Sequence, residues 1–187
     1  MGPIQQMAAT AVSNRLEVLD NASMTFPKIS LGATEAFGIV VSNATAKAPI
    51  EWDFAGAGAK HCSIGVQGES AKLEMATGFV LGGTDANMTA FDGSSLALNG
   101  DWTLNGNSNA LVAKGLGTQV KVAAATHISG LSNSIKVTDG ATLTMDDGYY
   151  YSIQGTNNVV SVCGAGSHLG SAADDGPGGE GESAGDS

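Results

Sequence analysis

Asp146 and Asp147 stand side by side in MDDGYYY, and neighbouring carboxylates are the first place to look for a general acid and its base. Asp92 and Asp139 are further candidates. Glycoside hydrolysis needs two carboxyl groups facing one bond across several ångströms. Here Asp92, Asp139 and Asp147 each come directly before a glycine, where Asp is an ordinary turn former. His61, His127 and His168 fall in separate segments, with no spacing that would gather them on one metal. No nucleotide loop, zinc spacing or nucleophile elbow occurs. Catalytic, cofactor-binding and metal-binding residues are therefore expected to be none, and the chain is not read as an enzyme. Tyr149 and Tyr150, with Phe79 expected on the outside elsewhere, could form a patch that contacts a sugar or a protein. Packing over a turn is the competing account of those tyrosines.

The elements that must position these residues announce themselves by period. Asp85, Asn109, Asn133 and Asn157 are spaced 24 residues apart at every step. Gly82, Gly106, Gly130 and Gly155 keep nearly the same step. So do Gly93, Gly117, Gly140 and Gly164, which open the alternating segments GSSLAL, GTQVKV, GATLTM and GAGSHL. A short repeat with turns at constant phase is one supersecondary unit stacked on copies of itself.

Aligning the segments gives inward columns. Leu73, Leu96, Val120, Leu143 and Ser167 form one, and Met75, Leu98, Val122, Met145 and Leu169 the next. Polar residues lie between them, as a strand with one wet face requires. A second strand places Val80, Leu104, Ile128 and Ile153 inside, and a third places Leu111, Ile135 and Val159 inside. The fold expected is all-β: a parallel β-helix, or β-solenoid, of about 24 residues per coil, each coil three strands and three turns. Each strand pairs in parallel with its equivalent one coil away, and the rest of the coil supplies the return path that parallel pairing needs. The Asp85, Asn109, Asn133 and Asn157 column is then a structural corner ladder, since an amide side chain both donates and accepts.

Three segments are expected: a capping helix within residues 1–21, a solenoid over 22–170 with regular coils from about 71, and a tail over 171–187. Met7, Ala11, Val12, Leu16 and Leu19 share one helical face, which suits a short cap over residues 5–19. The tail SAADDGPGGEGESAGDS holds five carboxylates and no Lys or Arg, and is expected to be disordered. Cys62 and Cys163 fall about four coils apart, roughly 19 Å at the strand spacing, beyond the reach of a disulfide. Two free thiols are expected.

The net charge is −10 over 187 residues, with Arg15 the only arginine. A phosphate-tracking surface needs clustered cations, so nucleic acid is not an expected partner. No stretch approaches the roughly 18 apolar residues of a membrane helix, and no membrane insertion is expected. The opening MGPIQQMAAT lacks both a basic residue and a long apolar run, so it does not read as a signal peptide.

The coils GSSLALNGDWTLNGNSN, GTQVKVAAATHISGLSN and GATLTMDDGYYYSIQGTNN resemble the passenger domains of autotransporters and related adhesin-like right-handed β-helices, an architecture shared with pectin lyases. The resemblance covers roughly residues 52–170 and rests on motifs generic to the architecture. It implies a non-enzymatic surface adhesin or structural stalk, at the cell surface or outside the cell, whose partner is a glycan or a host-surface protein. Phage tailspikes and fibres share the architecture, usually as trimers. On that alternative the chain is a virion tail component with carbohydrate recognition and a homo-oligomer. A polysaccharide-active enzyme is the third reading. Lyases of this architecture combine a Lys or Arg base with an acidic calcium cluster, and the single Arg15 lies before the clear coils. Ice binding needs a flat threonine face, which the mixed outward columns do not offer.

Overall fold

A computed structural model describes residues 6–9, 13–26, 28–31, 35–50, 52–54, 59–146 and 151–171. These residues form a parallel β-solenoid of three seven-stranded sheets. The chain visits the sheets in turn. The first sheet holds Gln6–Ala9, Lys28–Leu31, Trp52–Phe54, Phe79–Leu81, Trp102–Leu104, Thr126–Ile128 and Tyr151–Ile153. The second holds Asn14–Leu19, Phe37–Ser42, Ser63–Gln67, Asn87–Phe91, Ala110–Lys114, Ser134–Thr138 and Val159–Cys163. The third holds Ser23–Thr25, Thr45–Ala48, Lys72–Met75, Ser95–Leu98, Gln119–Val122, Thr142–Met145 and His168–Ser171. Strand neighbours lie one coil apart, about 24 residues along the chain.

Period-2 alternation decides which side chains fill the interior. In the second sheet Ile39, Ile64, Met88, Leu111 and Ile135 form one buried column, and Val41, Val66, Ala90, Ala113 and Val137 the next. Aromatic rings concentrate in the earlier coils. Trp52 stacks on Phe54 with centroids 6.0 Å apart, and Phe26 and Phe79 meet these rings edge-on at 5.3 and 5.6 Å. Among the described residues, later coils are filled mainly by Leu, Val, Ile, Met and Ala, with Trp102 the one large buried ring.

Several expectations are corrected. Among the described residues there is no helix. The proposed cap over 5–19 is replaced by Gln6–Ala9 and Asn14–Leu19, so the solenoid starts well before residue 22. Leu16 and Val18 alternate inward as strand residues, and five apolar positions on a helical wheel did not exclude that. Phe79 is not outside. It pairs with Trp52 and Trp102 in one inward column and is 1% exposed, while Val80 pairs with Thr103 and faces out. The coil from Phe79 to Trp102 is one residue shorter than a constant step assumes, because Phe91 to Ser95 spans four positions where Lys114 to Gln119 spans five.

The last coil also shifts. Phe79 to Trp102 spans 23 positions, Trp102 to Thr126 spans 24, and Thr126 to Tyr151 spans 25. Val160 therefore pairs with Ile135 in place of Val159, and Leu169 with Leu143 in place of Ser167. The extra length lies between Met145 and Tyr151, six positions against four from Val122 to Thr126. Ser171 belongs to the third sheet; the remainder of the expected tail, 172–187, lies outside the described residues.

Candidate functional site

The corner between the first and second sheets carries the most ordered polar chemistry. Gly83, Gly106, Gly130 and Gly155 stack there at positive φ. A Cβ on Gly106 or Gly130 would overlap the carbonyl oxygen of the glycine one coil below, so only glycine fits. Two residues further on, Asp85, Ser108, Ser132 and Asn157 continue a left-handed column begun by Ser13, Ala36 and His61, all with φ between 51° and 60°. The next residue in each coil faces inward, and this is where the amide ladder runs.

Its members are Asn109, Asn133 and Asn158. The Ala86 N–H donates to Asn109 Oδ1 at 2.7 Å, the Asn109 N–H to Asn133 Oδ1 at 2.9 Å, and the Asn133 N–H to Asn158 Oδ1 at 2.8 Å. Asn133 Nδ2 then donates to the Gly106 and Ser129 carbonyls at 3.1 and 2.5 Å, and Asn109 Nδ2 to those of Gly83 and Asn105. Each amide so clips one coil to the next. Asp85 and Asn157, expected in this ladder, are one position off it: they hold the left-handed turn, and Ala86 and Asn158 occupy the ladder level. A fixed step of 24 selects the wrong neighbour wherever a coil has 23 or 25 residues. The bonds also run from backbone N–H to side-chain oxygen, and not from amide to amide.

Hydroxyls do similar work at the corner between the second and third sheets. Thr118 Oγ1 accepts from the Gly93 N–H at 2.9 Å and donates to the Lys114 carbonyl at 2.8 Å. Ser167 repeats both bonds in the last coil, and Ser94 donates to the Val66 carbonyl at 2.9 Å. In the first sheet Trp102 Nε1 donates to Thr126 Oγ1 at 2.7 Å inside the core.

The described carboxylates among those weighed for catalysis, Asp92, Asp139 and Asp146, do not converge. Asp92 and Asp139 share a corner two coils apart, each with φ near 55°. Asp92 accepts a long bond from Gln67, and Lys114 lies 3.8 Å from Asp139. Asp146 pairs with Lys121 at 3.0 Å on the third sheet. These are exposed pairs between neighbouring coils, each worth about 0–1 kcal/mol. Asp147, Tyr149 and Tyr150 lie outside the described residues. No group of three His, Cys, Asp or Glu that could hold a metal occurs among the described residues.

Cys62 and Cys163 are both free thiols, the first buried and the second exposed. Burial pushes the Cys62 thiol above its ordinary pKa, while a backbone hydrogen bond from Phe37 pulls it back.

One recess has no signature in the repeat pattern. About 280 Å³ of open space lies over the start of the second sheet, lined by Ser13, Asn14, Arg15, Gly38, His61 and Ser63. Arg15, Gly38 and Ser63 are cross-strand neighbours, and the missing side chain of Gly38 makes the hollow between the other two. Arg15 leans on Glu17 at 2.6 Å, and His61 Nδ1 lies 3.7 Å from Asp85 Oδ2. A guanidinium, an imidazole, two hydroxyls and an amide around a shallow hollow suit a polyhydroxylated or acidic ligand. Only the strand register brings Arg15 and His61, two coils apart, to the rim of one hollow, so neither residue carried a signal alone. Leu116, raised between Gly115 and Gly117, is the most exposed large apolar side chain described and was likewise not anticipated. No protein-family model, curated protein or solved structure matches the chain.

Proposed function

We propose that the chain is a non-enzymatic segment of a surface adhesin or structural stalk, displayed at the cell surface or outside the cell. One observation carries this reading. All five described buried polar side chains, Ser94, Asn109, Thr118, Thr126 and Asn133, are engaged in hydrogen bonds that hold the coils together. Polar chemistry in the interior thus serves the scaffold, and variation is left to the outward columns. Binding to a glycan or a host-surface protein then falls to those columns and to the recess around Arg15 and Gly38.

The test is binding of the intact protein to a glycan array and to immobilised cells, compared with Arg15→Ala and Gly38→Val, alongside a polysaccharide turnover assay. The expected result is binding without turnover, weakened at least several-fold by either substitution. Turnover that disappears in Asp146→Asn would overturn the reading in favour of an enzyme.

A further inference from the structure

We infer that two copies of this chain pair end to end through their last coils, forming a twofold dimer. The inference stands apart from the adhesin reading and rests on the two ends of the stack. Tyr151–Ile153, Val159–Cys163 and His168–Ser171 are the terminal strands of the three sheets, each paired on one side only. Their inward columns are open. Ile153 is 52% exposed and Val162 43%, whereas Ile128 and Val137, their partners one coil below, are 1% and 0%. No described side chain between residues 151 and 171 is buried.

Unpaired strand edges recruit other strands, and soluble proteins block them with charges, proline or bulges. Residues 151–171 contain no Lys, Arg, Asp, Glu or Pro. An open apolar cross-section flanked by three unguarded edges is a surface built to receive strands.

What fills it follows by comparison of candidates. Residues 172–187 hold five carboxylates and no apolar side chain larger than proline, so they cannot fill the space over Ile153 and Val162. The first coil of another copy is a poorer fit than the last. Its strand Asn14–Leu19 carries Arg15 and Glu17, and its inward Val18 is already 3% exposed. The uncharged last coil, by contrast, matches itself. Two such ends meeting about a twofold axis place their strands antiparallel, a pairing that hydrogen-bonds at least as well as the parallel one. The contact is isologous and closes at two copies. Turning one coil over reverses the order of its sheets, so the five-residue Val159–Cys163 crosses its own copy while the other two strands exchange partners.

The sequence after Ser171 adds five carboxylates to each copy, ten to the pair. Their repulsion opposes pairing and is screened by salt.

The experiment is solution mass by light scattering across concentration and salt, on the full chain. A dimer is expected, tighter at high salt. Val162→Lys and Ile153→Lys should weaken it at least tenfold, since each puts a charge into the joint at a position that a monomer leaves partly in water. Ser134→Lys, on the outside of an interior coil, should leave it unchanged. Circular dichroism would verify that each variant keeps its β-structure. A monomer throughout overturns the inference, as does a dimer indifferent to both lysines. An open-ended assembly overturns it in favour of head-to-tail stacking, and a trimer in favour of a tailspike-like bundle.

Discussion

Asn133 and Asn158 make the same bonds one coil apart. Each accepts the backbone N–H of the asparagine below it, and each donates to a corner glycine and to a carbonyl four residues back. Asn133 is fully buried, and Asn158 is only partly buried. The sequence context and local geometry are shared, and only the coil above differs. Net hydrogen-bond strength depends on whether water can replace a lost partner. The same motif is therefore a structural clamp in the interior and a nearly dispensable one at the end.

Charge placed in the interior gives the largest contrast. Ile128→Asp buries an unpaired carboxylate and should cost on the order of 4 kcal/mol or more, enough to unfold much of the stack. Thr142→Asp, on an outward column, should stay within about 0.5 kcal/mol. Thermal denaturation of both would expose a wrong register at once, because a one-residue slip exchanges the two faces.

Next comes the ladder itself. Asn133→Ala strands the buried Asn109 N–H and removes the amide donor from the Ser129 carbonyl, while the Gly106 carbonyl keeps the Leu131 N–H, for an expected loss of about 2–3 kcal/mol. Asn158→Ala should lose under about 1 kcal/mol at concentrations low enough to keep the chain a monomer. Equal losses in chemical denaturation would mean that the last coil is covered in solution, and so would sharpen the case for end pairing.

Trp102→Phe keeps a ring but leaves the buried Thr126 hydroxyl without its donor, at about 1–2 kcal/mol. Trp102→Phe combined with Thr126→Val should recover part of that loss, a double-mutant cycle that isolates the bond.

The smallest contrast is between the two cysteines. Cys163 should react with a thiol reagent in the native state and Cys62 only on unfolding. Because burial raises the Cys62 pKa, the folded state holds its proton to higher pH than the unfolded state does. Stability is then untouched below the thiol's ordinary pKa and declines as pH rises through the interval above it. Cys62→Ala should flatten that alkaline decline.

Much of this architecture was legible because identical columns repeat at nearly constant phase. Leu96, Val120 and Leu143 identify an inward face without any knowledge of their contacts. Legibility failed where coil length changed. Val80, Asp85, Asn157 and Val159 were each placed one position from their structural equivalents by a step held at 24, and coils of 23 and 25 residues displaced them. Phe79 failed with Val80, since a one-residue slip moves a strand residue to the opposite face. The first coil failed for another reason: in Asn14–Leu19 the alternation is too short to outweigh a helical reading. The recess around Gly38 could not be read at all, because Arg15, Gly38 and His61 belong to three different coils.

The first and last described strands lie at opposite ends of the stack, so tension applied between Gln6 and Ser171 runs along the axis and across the sheets. The bonds between coils then point along the pull and open in succession, since each coil touches only its neighbours. Every ring released frees about 24 residues, on the order of 80 Å of extended chain. The molecule would lengthen in nearly equal steps, beginning at the last ring, where no described side chain is buried, as a built-in extensible tether.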